Sequence, residues 1–188
     1  MKKIITILLL SSTLFLSACV AVMAVGAAAG LVVYDKRSVH MIEYDTRLFH
    51  DVHTAIVTDK AFDDSRIVVS SFNRVILLTG QTPTPSLRSK ADKIARSIKG
   101  VRRVYDQIAI DDPISMSQRT KDTWITSQVK TKMLTKKGLS SGSIKVVTED
   151  GVVYLMGKVS HDQANLAVDV ARHVADVRKV VKIFQYTD

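Results

Sequence analysis

The sequence offers covalent chemistry at one place: Cys19, the only cysteine among 188 residues. It follows Leu16-Ser17-Ala18, small residues that close an apolar run from Ile4 to Leu16, headed by Met1-Lys2-Lys3. A basic head, an apolar middle and a small-residue cleavage site form the layout of a secretory signal, and a cysteine directly after the cut is what a lipoprotein signal peptidase requires. Residues 1–18 are therefore read as the signal peptide, Cys19 as a lipidated mature N-terminus carrying acyl chains such as palmitate, and residues 19–42 as a tether. The competing reading is an uncleaved anchor, because apolar residues continue from Val20 to Val33. That stretch is mostly Ala, Gly and Val, which partition weakly, whereas the stronger Leu, Ile and Phe lie before Cys19. Under either reading Lys2 and Lys3 keep the N-terminus inside and the body of the chain outside the cytoplasm. Val20, where an Asp would signal retention, directs the chain to the outer membrane under the general sorting logic of bacterial lipoproteins.

The other residue types that do chemistry are poorly placed for it. His50 and His53 are three apart on a helical stretch, but no third ligand is near them in sequence and the repeat described below puts Ser127 and Lys130 at their positions. Ser160-His161-Asp162 are sequence neighbours, which a catalytic triad cannot be, and Ser160 has a use as a helix cap. No glycine-rich phosphate loop and no paired cysteines are present. The sequence implies no catalytic residues, no metal and no cofactor, and a non-enzymatic role is expected.

Charge narrows the partners. The chain carries a formal +9, and removal of Lys2 and Lys3 with the signal leaves +7. A basic balance suits nucleic acid or an anionic membrane; export removes the first.

The elements that must position any site come from an internal repeat. Residues 65–81 overlie residues 142–158 with identities at Ile67/Ile144, Val69/Val146, Val75/Val152, Leu78/Leu155 and Gly80/Gly157, all 77 apart. Both copies alternate apolar residues about a short turn, Phe72-Asn73-Arg74 or Glu149-Asp150-Gly151, as a hairpin does. Each hairpin is expected to stop at its glycine, through a positive φ or a close backbone approach. Helices are predicted over 84–98, behind Thr84-Pro85, and 161–175, behind a capping box of Ser160 and Gln163. Last strands are predicted over 101–110 and 177–185, entered through Val101-Arg102-Arg103-Val104 and Val177-Arg178-Lys179-Val180. Arg102, Arg103, Arg178 and Lys179, shared by both copies, are read as solvated edge residues. Leading helices are predicted over 45–58 and 120–136. The fold class is α+β: two tandem domains, 43–112 and 119–188, joined by a linker at 113–118, each a three-stranded mixed sheet in the order αββαβ with two helices on one face.

This order, the hairpin glycine and the Val-x-x-Val entry to the last strand resemble the BON domain. Two such domains behind a lipidation motif resemble the DolP family of outer-membrane lipoproteins. The stretches that carry the likeness best are 122–126 (Asp-Thr-Trp-Ile-Thr), 148–151 (Thr-Glu-Asp-Gly) and 154–157 (Tyr-Leu-Met-Gly), and it covers the whole mature chain.

Two domains with one fold share a core, so what only one carries is a candidate for function. Ile125, Val129 and Met133 overlie Leu48, Val52 and Ile56 and form the core stripe of each leading helix. At 100° per residue, Trp124 and Leu134 fall away from that stripe, among Ser127, Lys130, Thr131 and Thr135, on a face expected to be exposed. Trp124 is the only tryptophan; Arg47 holds its position in the first domain and Val57 that of Leu134. Residues 119–137 carry a net +5, and residues 42–60 a net −2. Apolar and aromatic groups flanked by lysines on one helix face form the pattern of interfacial membrane binding, and tryptophan favours the headgroup level. The family resemblance implies the same ligand: anionic phospholipid, such as phosphatidylglycerol or cardiolipin, held by the first helix of the second domain, with Trp124, Ser127, Lys130, Leu134 and Thr135 at the matching positions. It further implies support of outer-membrane integrity and enrichment at division sites. Two alternatives stay open: the Trp124 and Leu134 face as a hot spot for an envelope protein partner, and Trp124 packed against residues 111–118 or the first domain.

Overall fold

The computed structural model describes residues 35–187. Residues 1–34, which hold the expected signal peptide, Cys19 and most of the expected tether, lie outside the described residues, as does Asp188.

Each repeat folds as helix, hairpin, helix, strand. The first comprises α1 (Val39–Val57), β1 (Arg66–Phe72), β2 (Val75–Thr82), α2 (Pro85–Ser97) and a last strand in two pieces, β3 (Arg103–Asp106) and β4 (Ala109–Ile110). The second comprises α3 (Met116–Thr135), β5 (Ile144–Glu149), β6 (Val152–Val159), α4 (His161–Arg172) and β7 (Lys179–Tyr186). The hairpins are antiparallel and the last strand pairs parallel to the middle one, which makes each sheet mixed. Residues that match in sequence match in register: Val69 lies opposite Leu78 as Val146 lies opposite Leu155.

Several boundaries differ from the sequence reading, each for a local reason. The leading helices begin earlier than 45 and 120, because Ser38 accepts the Met41 amide and Ser115 that of Gln118. The α3 helix thus starts inside the stretch 113–118 expected as linker. The turns contain two residues rather than three: Phe72 pairs with Val75 and Glu149 with Val152, leaving Asn73-Arg74 and Asp150-Gly151 in the left-handed region with φ of 51° and 64°, and 47° and 70°. Neither glycine stops its strand, since β2 runs on to Thr82 and β6 to Val159. Gly80 does have a positive φ (+108°), and a Cβ there would lie 1.9 Å from the Arg66 carbonyl oxygen. Gly157 needs only the close approach, at 2.8 Å from the Ser143 oxygen. Ser160 caps α4, but the expected capping box is not reciprocal: the Gln163 amide group turns away to accept the Ser140 N–H and donate to the Gly138 carbonyl, both at 2.7 Å. The α4 helix ends at Arg172, and α2 at Ser97.

Each sheet packs one face on its two helices. In the first domain Leu48, Val52 and Ile56 of α1 and Ala91 and Ala95 of α2 cover Val69, Ile76 and Leu78; in the second Ile125, Val129 and Met133 cover Val146, Val153 and Leu155 with Ala164, Ala167 and Ala171. The other faces do not meet water. Side chains alternate along a strand, so Val75 and Leu77 point opposite to Ile76 and Leu78, and with Phe72 they form a third buried cluster with Tyr154, Met156 and Ile183 of the other domain. Sheet packs on sheet, which is why every residue of β2 is buried. Polar contacts frame this seam: Glu149, 6 % exposed, takes hydrogen bonds from Arg66 at 2.5 Å and Gln81 at 2.9 Å, Asn73 donates to Gln185 at 2.7 Å, and Lys145 donates to the Ser71 carbonyl at 3.2 Å. Burial holds the Lys145 ammonium below its ordinary pKa, with Arg37 adding repulsion. Among the described residues the three apolar clusters run through the compact unit from Asp35 onward.

Candidate functional site

The candidate surface is one flank of α3, and the fold determines which flank. Ile125, Val129 and Met133, at most 1 % exposed, turn inward. A residue that entered the sequence argument only through the family likeness completes the anchoring. Asp122 is buried, and its carboxylate accepts the Asp150 amide at 2.7 Å and the Gly151 amide at 2.8 Å. Asp45 does the same in the first domain, accepting from Asn73 and Arg74. The signal was present in the sequence, since these two aspartates are 77 apart, but a carboxylate next to a helical core stripe reads as solvated until the turn amides beneath it are seen.

With that stripe buried, Trp124 is left 47 % exposed. Ser127, Lys130, Thr131 and Thr135 are exposed on the same flank, whereas Leu134 is half-buried and not fully open as expected. Trp124 borders a shallow depression of about 560 Å³ with Ser117, Thr120 and Lys121 of its own helix and Asp176 from the loop after α4. No residue of the first domain lines that depression. Sequence reasoning also passed over Met116, which is 70 % exposed at the start of α3 and, at 100° per residue, falls at about the same angle as Leu134.

Four hydroxyls along this helix, though not that of Thr131, are satisfied internally. Thr120 donates to the Met116 carbonyl, Thr123 to Arg119, Ser127 to Thr123 and Thr135 to Thr131, at 2.9–3.4 Å. A hydroxyl bonded back to residue i−4 needs no water partner, so this face can enter an apolar boundary with little unmet polarity. Around it Lys121, Lys130 and Lys137 have no carboxylate within ion-pair distance among the described residues, while Lys136 approaches Asp169 at 3.8 Å. The equivalent flank of α1 is different: Arg47, at the position of Trp124, pairs with Glu43 at 3.3 Å.

The residues discounted for metal or catalysis have other surroundings. His50 and His53 flank the Phe49 ring, with centroids at 5.2 and 5.4 Å. Among the described residues no group of three or more His, Cys, Asp or Glu could hold a metal ion, and no helix is long and apolar enough to cross a membrane. Arg102, Arg103, Arg178 and Lys179 are all exposed, but Arg178 is bonded to the Asp150 side chain and carbonyl.

Two αββαβ domains, each with its helix carboxylate under its hairpin turn, define the class of the protein, and comparison with known proteins agrees. The family model described as the BON domain matches residues 44–112 and 121–188. The outer membrane lipoprotein DolP of Haemophilus influenzae is 37 % identical over 96 % of this chain and 95 % of its own. A 21 kDa hemolysin of Actinobacillus pleuropneumoniae is 39 % identical over 66 % of this chain and 64 % of its own, and the osmotically-inducible protein Y of Escherichia coli 31 % over 72 % and 69 %. The chain belongs to the BON-domain family, as a dual-domain member of the DolP kind.

Proposed function

We propose that this protein is anchored in the outer membrane by lipid on Cys19, faces the periplasm, and binds anionic phospholipid through α3, in support of outer-membrane integrity and at division sites. The observation that carries the binding site is the half-exposed Trp124 on a flank of back-bonded hydroxyls, ringed by lysines without carboxylate partners. Each lysine near an anionic surface contributes on the order of 1 kcal/mol, and Trp124 with Leu134 and Met116 adds apolar contact, so α3 alone binds weakly and relies on the anchor to hold it close. The name of the Haemophilus relative supports the outer-membrane placement.

The test is co-sedimentation of residues 35–188 with vesicles of phosphatidylcholine alone or mixed with phosphatidylglycerol, for the wild type and Trp124→Glu. Capture by the anionic vesicles only, lost in the variant with an unchanged circular dichroism spectrum, is the expected result. Capture by neither vesicle overturns the reading and turns the Trp124 face over to a protein partner.

A further inference from the structure

The basic pair that opens the last strand occurs in both repeats, yet the two pairs differ in what surrounds them. In the second domain Asp150 neutralises Arg178. Asn73 stands at the position of Asp150, so the first domain has no carboxylate there; the Asn73 side chain instead donates to Gln185 across the seam at 2.7 Å. Arg102, the counterpart of Arg178, has no carboxylate partner among the described residues, and Arg103 bonds only the Tyr105 hydroxyl, at 3.3 Å.

These two guanidiniums sit on a groove of about 460 Å³ between the domains that has no acidic residue in its lining. Its floor is apolar and aromatic: Tyr105 from β3, with Phe184 and Tyr186 from β7. Val181 holds the position of Tyr105 in the second domain, so both the free charge and the aromatic group are peculiar to this place. Beside the groove run two strand edges, since among the described residues β3 pairs only with β2 and β7 only with β6.

We propose that this groove binds an extended acidic segment of a protein partner. Unpaired strand edges offer backbone hydrogen bonds to an extended chain, the aromatic floor takes its apolar side chains, and Arg102 and Arg103 take its carboxylates, for which a guanidinium has matching geometry. A lipid headgroup would use the charges but neither the edges nor the length of the floor. The site is separate from the Trp124 flank and does not depend on it.

The test is fluorescence polarisation of residues 35–188 with a labelled octapeptide of alternating Glu and Val, against one of alternating Lys and Val. The acidic peptide is expected to bind saturably and the basic one not at all. Arg102→Glu and Arg103→Glu, both at exposed positions that leave the fold intact, are each expected to weaken binding at least tenfold, and Trp124→Glu to leave it unchanged. Absence of saturable binding, equal binding of the two peptides, or indifference to both charge reversals overturns the proposal. Loss of binding to phosphatidylglycerol vesicles in Arg102→Glu, without peptide binding in the wild type, assigns the charges to lipid and overturns it as well.

Discussion

The carboxylate of Asp122 lies 2.8 Å from the Gly151 amide, and with the Asp150 amide on its other oxygen this contact ties the helix that bears Trp124 to the hairpin turn of its own sheet. The orientation of α3, and with it the face it presents, depends on a side chain that itself faces inward. Asp122→Ala leaves two turn amides without their acceptor, which costs roughly 1–3 kcal/mol for buried groups. A lower midpoint in urea at unchanged slope is the expected outcome, and an unchanged midpoint would show that water replaces the carboxylate.

The hairpin glycines predict unequal substitutions. Gly80→Ala places a methyl 1.9 Å from the Arg66 oxygen at a positive φ, whereas Gly157→Ala meets the Ser143 oxygen at 2.8 Å on extended backbone. Thermal melts are expected to drop further for Gly80→Ala, by more than the roughly 1 kcal/mol that a left-handed residue costs alone; equal melts contradict the geometry.

Much of this was legible in the sequence, and the reasons for what was not are physical. The core stripe of α3 and the opposed Trp124 followed from helical periodicity alone, because burial selects side chains at that spacing. The repeat displayed the fold because matching residues occupy matching register. The paired sheets were not legible: β2 reads as one apolar run, and a run buried against helices on one face and a second sheet on the other has the same composition as a shorter buried strand. Helix starts at Ser38 and Ser115 were missed for a similar reason, since their first turns carry no apolar residue that faces the core.

The seam makes its own prediction. Leu77 is fully buried between the sheets, so Leu77→Ala opens a cavity there and costs about 2–5 kcal/mol. Hydrogen exchange is expected to rise first in β2 and β6, and two separated unfolding transitions are expected in place of one. Faster exchange in the helices alone would contradict the packing described.

Tyr154 gives a pH dependence. Its phenol is buried at the seam, and desolvation, with Glu149 and Asp150 adding repulsion, pushes its pKa up from 10.0 to about 12. The unfolded chain loses this proton first, so the contribution is fully present below pH 10 and is lost as pH rises toward 12, on the order of 2 kcal/mol in all. Tyr154→Phe is expected to flatten the fall in stability over that window, as followed by urea unfolding at stepped pH. An unchanged slope would show that other groups cause it.

Binding to anionic vesicles is expected to weaken steeply between low and physiological salt, because the lysines of α3 are exposed and screened. Lys130→Glu is expected to lower the affinity severalfold and to flatten the salt dependence in co-sedimentation. A salt-independent affinity would point to apolar contact alone.

Arg66 meets Glu149 across the seam, but the residues at the equivalent positions are Ser143 and Phe72. In a symmetric dimer of one domain each contact would have to occur twice; covalent linkage of the two copies in one chain removes that condition. The duplication is in effect a dimer released from self-complementarity, in which one copy has become acidic and paired along its leading helix and the other basic and aromatic without either change being imposed on its twin.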